Sequence, residues 1–190
     1  GGAIYLDGSG DLQNVLFDRN STAGAPGAAL FVNSAPFLQI VHTTIASPTV
    51  GAGAAIYVSA GAVAITDTIV ASYTAGIQNG GGTVAADYNF LYNAPTTIDI
   101  GSHSITGIDP LFVDPAVGDY HLQPGLSYAA DTGVDVGVTT DLDGGARPQG
   151  YGFSMGAYEA SGPILPCNAT PDDGATLFAT FYGDAVQQAV

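Results

Sequence analysis

A phrase returns every 26 residues, and a period of that length restricts what the chain can fold into. Gly2-Ala3-Ile4-Tyr5-Leu6 recurs as Ala28-Ala29-Leu30-Phe31-Val32 and as Ala54-Ala55-Ile56-Tyr57-Val58, so that Ile4, Leu30 and Ile56 are spaced by 26 and 26. A second phrase runs beside it: Leu12-Gln13-Asn14-Val15 is echoed by Leu38-Gln39-Ile40-Val41 and then by Val63-Ala64-Ile65-Thr66. A unit this short cannot bury its own apolar face, so neighbouring units must stack to bury it together.

Each repeat holds two runs rich in Val, Ile, Thr, Tyr and Phe, separated by Gly, Pro, Asn and Ser. The runs cover 3–6 and 12–17, then 30–32 and 37–45, then 55–58 and 63–70, with a shortened fourth coil ending in 84–92. That composition is strand-forming, and no helical stretch lies inside a repeat. The pattern predicts an all-β fold, a short parallel β-helix of 25–26 residues per coil. One coil adds one strand spacing of height, so four coils stand only about 20 Å tall. Residues 1–93 form the coils in this reading. Residues 94–160, marked by Asp109-Pro110, Asp114-Pro115 and Pro124-Gly125, form a loop-rich β cap with short strands at 105–108, 120–122 and 153–158. Residues 161–190 form a linker followed by a strand and the start of a helix.

The charge excludes several partners. The chain has 17 acidic residues, two basic residues (Arg19 and Arg147) and a net charge of −15. Such a surface repels nucleic acid and anionic membranes. No run of 18 apolar residues exists to span a bilayer as a helix. The chain opens within a repeat phrase at Gly1-Gly2 with no initiating Met, as expected of a mature product or a piece of a longer polypeptide. Cys167 is the single cysteine, either an inert buried thiol or one with a partner outside the visible chain.

Several phrases carry a family resemblance. Gly1-Gly2-Ala3-Ile4-Tyr5 and Asn14-Val15-Leu16-Phe17 resemble the repeat of polymorphic outer-membrane-type, pectate-lyase-like β-helix proteins. Asp87-Tyr88-Asn89-Phe90-Leu91, Ile108-Asp109-Pro110-Leu111-Phe112-Val113-Asp114, Gly118-Asp119-Tyr120-His121-Leu122, Asp141-Leu142-Asp143-Gly144-Gly145-Ala146-Arg147-Pro148 and Gly156-Ala157-Tyr158-Glu159 resemble the bacterial choice-of-anchor Q domain. The resemblance covers residues 1–160. It implies a right-handed parallel β-helix in a secreted or cell-surface protein, and it implies no single activity. Ser154-Met155-Gly156-Ala157 stands where that family usually has Asp-x-Gly-Ala. The tail resembles the opening of a further β-helix of the same class.

Few residues point to chemistry. Asp67 and Asp87 fall in equivalent runs of successive coils, as the paired carboxylates of a glycosidase or the Ca²⁺ ligands of a lyase would. A lyase also needs a basic proton acceptor, and neither arginine lies in the third or fourth coil. The alternative is a polar ladder of Asp67, Thr68 and Asn89 along the stack, with His42 above Asp67. Asp141, Asp143, Arg147 and Glu159 form the densest charged cluster. It reads either as a Ca²⁺ loop or, preferably, as a staple in which Arg147 ties Asp141 or Asp143 to Glu159 and fastens the cap to the last coil. His42, His103 and His121 have no metal-ligand spacing. Asn20-Ser21-Thr22 and Asn168-Ala169-Thr170 fit the N-glycosylation pattern.

The expected function is a non-enzymatic extracellular module with a structural, adhesive or assembly role and no cofactor. The alternatives are a carbohydrate-active enzyme of the pectate-lyase-like class and a carbohydrate-binding module. The expected partner is another copy of the chain, joined head to tail through the tail residues Thr176, Leu177, Phe178, Phe181, Tyr182 and Val186, with glycans as a further class of ligand.

Overall fold

The structure is a computed structural model that describes residues 2–160. The strands are β1 (Ile4–Asp7), β2 (Gly10–Gln13), β3 (Leu16–Asp18), β4 (Leu30–Val41), β5 (Thr44–Val58), β6 (Gly61–Thr66), β7 (Ile69–Asn79), β8 (Thr83–Asp87), β9 (Phe90–Tyr92), β10 (Ile105–Thr106), β11 (Phe112–Asp114) and β12 (Asp119–Leu122). All pairings among β1–β10 are parallel, whereas β11 and β12 pair antiparallel. The chain winds as a parallel β-solenoid of four coils, and a single 3₁₀ turn (Pro115–Val117) is the one helical element among the described residues.

Each coil has three strand positions where the sequence pattern predicts two. The longer predicted runs are divided by a residue in the left-handed region: Asn14 (φ 51°), His42 (φ 45°), Asp67 (φ 50°) and Tyr88 (φ 56°). Asn, Asp and His enter that region more readily than other side chains, so three of the four corner residues suit the bend locally. These four residues stack as one corner of the solenoid, between the β2/β4/β6/β8 face and the β3/β5/β7/β9 face.

Period-two alternation fills the interior in columns. Ile4 pairs with Leu30, Leu30 with Ile56 and Ile56 with Ile77. Leu12, Ile40, Ile65 and Ala86 make a second column, and Phe17, Ile45, Val70 and Leu91 a third. The second phrase is offset by two residues from its sequence alignment: Leu12 pairs with Ile40, not Leu38. A bulge after Leu6 and a longer turn in the second coil take up the extra length. A shift of two preserves the inward face, so the apolar pattern alone cannot detect it.

The last coil is smaller. Ala46 pairs with Ala71, but Gly51 pairs with Tyr73 and Ala54 with Ala75, so the spacing falls from 25 to 22 to 21 residues across one turn. The fully buried Tyr73 fills the interior at that turn. A Cβ at Gly51 would lie 3.2 Å from its ring.

Residues 94–160 were expected to cover the last coil, and only the first part of the segment does so. Residues 127–160 instead run along the side of the stack, over the face formed by β3, β5, β7 and β9. The outward residues there are apolar: Ala46, Ile69, Ala71 and Phe90 pack with Phe112, Tyr120, Leu122, Ala129, Met155 and Ala157 in a second core. Strands covered on both sides read as unbroken apolar runs, as in Ile69-Val70-Ala71 and Phe90-Leu91, and that is the signal for this arrangement. The strand expected over 153–158 does not form. Its backbone bonds the corner instead, with Gly156 N donating to Asp67 O (2.7 Å) and Ala157 N to Thr44 Oγ1 (2.9 Å). Gly156 sits at φ 91°, and a Cβ there would fall 2.6 Å from Ile69 Cδ1 and 2.7 Å from Thr44 Oγ1. The tail expectations, including Cys167, Asn168, Thr176, Leu177, Phe178, Phe181, Tyr182 and Val186, lie outside the described residues.

Candidate functional site

The seam between the corner and the cap gathers the buried charge of the described residues. The Arg147 and Glu159 side chains are both fully enclosed, with Arg147 Nη1 donating to Glu159 Oε2 at 2.7 Å. Arg147 Nη1 also donates to Ser154 O (3.2 Å), and Nη2 to Gly156 O (2.8 Å) and to Asn14 Oδ1 (3.2 Å). The other oxygen of Glu159 accepts from Ser154 N (2.9 Å) and Ser154 Oγ (2.6 Å). Burial raises the Glu159 carboxyl against the pull of these bonds, and it lowers the Arg147 guanidinium against the pull of Glu159.

The cluster is assembled differently from the sequence expectation. Arg147 makes no hydrogen bond to Asp141 or Asp143. Asp141 enters through Glu159, whose N–H donates to Asp141 Oδ2 (3.0 Å), while Asp141 Oδ1 accepts from Asp143 N (3.1 Å) and Gly145 N (2.7 Å). Asp143 instead meets His121, 2.7 Å from Nε2, and His121 Nδ1 meets Asp119 at 2.6 Å. Burial works against charge on His121, but the bonds to Asp143 and Asp119 outweigh it and raise the imidazole above its usual range. The ring also packs on Tyr158, with centroids 3.9 Å apart. The staple reaches the first coil at Asn14, not the last coil.

Arg19 is a participant that the sequence reading missed. From the end of the first coil its Nη2 donates to Pro115 O (3.0 Å) and Ala116 O (2.6 Å), and Nη1 lies 3.3 Å from Asp18. Asp18 also accepts from Tyr120 Oη at 2.5 Å. Both basic residues of the chain therefore join the cap to the first coil. The scarcity of cations was the available signal, since each must be placed where it satisfies the most acceptors.

His42 and Asp67 face each other under the cap, both fully enclosed, with Nε2 and Oδ2 3.7 Å apart and neither atom otherwise partnered. His42 Nδ1 lies 3.2 Å from the Ser154 carbonyl and so carries the ring proton. Asp67 Oδ1 accepts from Val134 N (3.0 Å). Burial pushes Asp67 up to about 7, and burial with the nearby Arg147 charge pushes His42 down to about 4. Between about pH 4 and 7 Asp67 therefore keeps its acid proton while His42 stays uncharged, with its ring proton on Nδ1.

Asp67 and Asp87 are not brought together as a carboxylate pair. Register sets Asp87 beside Thr66, one position out of step with Asp67. Asp87 turns to His103, 2.8 Å from Nδ1, and His103 stacks on Tyr88 with centroids 4.4 Å apart. The polar ladder does form between Thr68 and Asn89, with Thr68 N donating to Asn89 Oδ1 (3.0 Å). Among the described residues no group of three His, Cys, Asp or Glu is placed to hold a metal ion. Asn20 lies in the turn after β3, half-buried, with Oδ1 enclosed and unpartnered.

The outer surface carries one aromatic ladder. Tyr5, Phe31 and Tyr57 stack in successive coils, with centroids 5.3 and 5.2 Å apart. The two stacks cover both faces of Phe31 and one face each of Tyr5 and Tyr57, whose far side lines a cleft. Two open clefts flank the stack. One, of about 530 Å³, lies beside Tyr57, Thr74 and Gln78; the other, of about 510 Å³, lies at the far end between Leu91, Ile98 and Ile100. Neither is lined by a titratable carboxylate, histidine or arginine.

Comparison of the chain with protein-family models, curated proteins and solved structures finds no match.

Proposed function

We propose that this chain is a non-enzymatic structural and assembly module of a secreted or cell-surface protein, a β-solenoid of the kind that the choice-of-anchor Q resemblance implies. The observation that carries this reading is the use made of the charged side chains: the buried Arg147–Glu159 pair and Arg19 fasten the cap to the first coil, and the strands of successive coils pair in parallel along the stack. The groups that a catalytic reading would need are already committed elsewhere: Asp67 and Glu159 lie under the cap, and Asp87 pairs with His103. A sugar platform needs a row of free ring faces, and the aromatic ladder leaves only its two end faces unstacked, at Tyr5 and Tyr57. No helix among the described residues is long and apolar enough to cross a membrane.

Sedimentation equilibrium of the intact chain tests the assembly reading, with concentration-dependent self-association as the expected result. Incubation with pectin and alginate tests the non-enzymatic part, with no new chain ends expected. Turnover that disappears in Asp67→Asn or Asp87→Asn would replace this reading with the carbohydrate-active one.

A further inference from the structure

The cap rests on contacts that need protons, and the coils do not. Among the described residues the buried carboxylates, histidine and guanidinium (Asp67, Asp141, Glu159, His42 and Arg147) all lie at the seam, whereas the interior columns are apolar. Two proton-requiring contacts flank the strap of the cap, residues 153–159, one on each side.

On the inner side, His42 Nδ1 faces a carbonyl, Ser154 O, and can only donate to it, which leaves Nε2 as a bare acceptor. That nitrogen looks at Asp67 Oδ2 from 3.7 Å, and neither atom has another partner. Two acceptors enclosed together require a proton between them. The cap backbone sits directly on this carboxyl. Val134 N donates to Asp67 Oδ1, Gly156 N to Asp67 O, and a Cβ at Gly133 would lie 2.6 Å from Oδ1. An ionised Asp67 has to regain water, and the docked cap occupies the way to it. On the outer side, His121 Nδ1 lies 2.6 Å from Asp119 and Nε2 2.7 Å from Asp143, so both ring nitrogens must carry protons. The His121 ring packs on Tyr158 of the strap.

We propose that residues 127–160 are a pH-operated cap, docked in mildly acidic solution and released from the β3/β5/β7/β9 face as the solution turns alkaline. This is independent of the assembly reading. The other charges facing the inner pair also come from the cap. Burial raises Asp67 to about 7 against the Val134 hydrogen bond and the Arg147 charge, and Glu159 adds to the rise. Asp135 favours charge on His42, but burial and Arg147 prevail and hold it at about 4, which sets the acid limit of docking. Around His121 the facing groups are Asp119, Asp143 and Tyr158, with Asp141 acting on Tyr158. Asp67 and His121 are both raised, so each contributes stability that is present at low pH and lost as pH rises through its folded value. The inner and outer contacts therefore weaken in the same sense. Release uncovers Ala46, Ile69, Ala71 and Phe90, while the apolar columns keep the coils wound.

The test is amide exchange of the intact chain, followed by NMR at about pH 5.5 and about pH 8.5 and corrected for the intrinsic rate at each pH. The Gly156 and Ala157 amides should lose protection by about tenfold or more relative to the amides of β4 and β6. Binding of an apolar dye should rise over the same range. Asp67→Asn should remove most of the loss, because its amide can donate to His42 Nε2 at any pH. The Asp67 carboxyl carbon shift of the unaltered chain reads the same titration without a variant, and a midpoint near 7 is expected. Protection lost equally in coils and cap, cap protection that ignores pH, or the full loss retained in Asp67→Asn would each overturn the proposal. So would an Asp67 carboxyl that titrates in the ordinary carboxylate range.

Discussion

In the coils, burial comes from repetition: Leu30, Ile56 and Ile77 occupy one column, each resting on a side chain of its own kind. In the cap no position repeats, and beside its apolar residues the seam buries a guanidinium, two carboxylates and a serine tied by directional bonds. A column tolerates small errors, because an aliphatic contact has no required angle and cores accept volume-conserving changes. The seam does not, since removing one charged member leaves its partner buried and unpaired. The coils therefore set the architecture, and the seam determines where the cap docks.

The largest effect that would sharpen this contrast is expected from Arg147→Ala. It leaves Glu159 uncompensated and should cost about 3–5 kcal/mol in urea unfolding. By comparison, Ile65→Val in a coil column should cost about 1 kcal/mol. Equal costs for the two would break the contrast.

The His42–Asp67 pair gives the next largest effect, and it is read from pH. The raised Asp67 contributes stability that is present below its unfolded value near 3.8 and lost as pH rises through about 7. The lowered His42 contributes stability that is present above its unfolded value of 6.5 and lost as pH falls through about 4. Between about 4 and 6.5 the two slopes cancel, because folding moves one proton from the histidine to the aspartate. The contribution of the pair should therefore be nearly flat there. Asp67→Asn should leave a stability that rises across this window by an amount on the order of 3 kcal/mol, and His42→Gln one that falls. Parallel pH profiles for the wild type and both variants would exclude a neutral Asp67 beside an uncharged His42.

Smaller effects are expected on the surface. A double-mutant cycle between Tyr5→Ala and Phe31→Ala should return a coupling of about 0.5–1.5 kcal/mol for the stacked rings. Asp143→Asn should change stability by less than about 1 kcal/mol, as is usual for exposed pairs. It should nevertheless lower the His121 imidazole toward its usual range, measurable by NMR titration.

The same contrast decides what could be read in advance. Columns leave a period in the sequence, and Ile4, Leu30 and Ile56 disclosed the solenoid. The corner was legible only in part. Asn14 and Asp67 are residues that favour a left-handed bend, but Tyr88 is not, and the longer runs looked continuous through it. The seam left no period, because its partners are far apart in sequence: Arg147 meets Asn14, and Asp67 meets Val134. Composition marked Arg147 and Glu159 as a pair but could not show that Asp143 would go to His121, a choice made by the packing of β12. Arg19 gave no local signal, since its acceptors are backbone carbonyls that any residue supplies.

The shortened turn at Tyr73 has a consequence for the outline of the tube. Going from a spacing of 25 residues to 21 removes four residues, about 13 Å of perimeter at the rise of an extended chain. A bore of constant width can accept another ring at either mouth. One that narrows cannot be prolonged at its narrow mouth without a ring of matching girth. The taper therefore gives the stack a direction, written in the circumference of its coils.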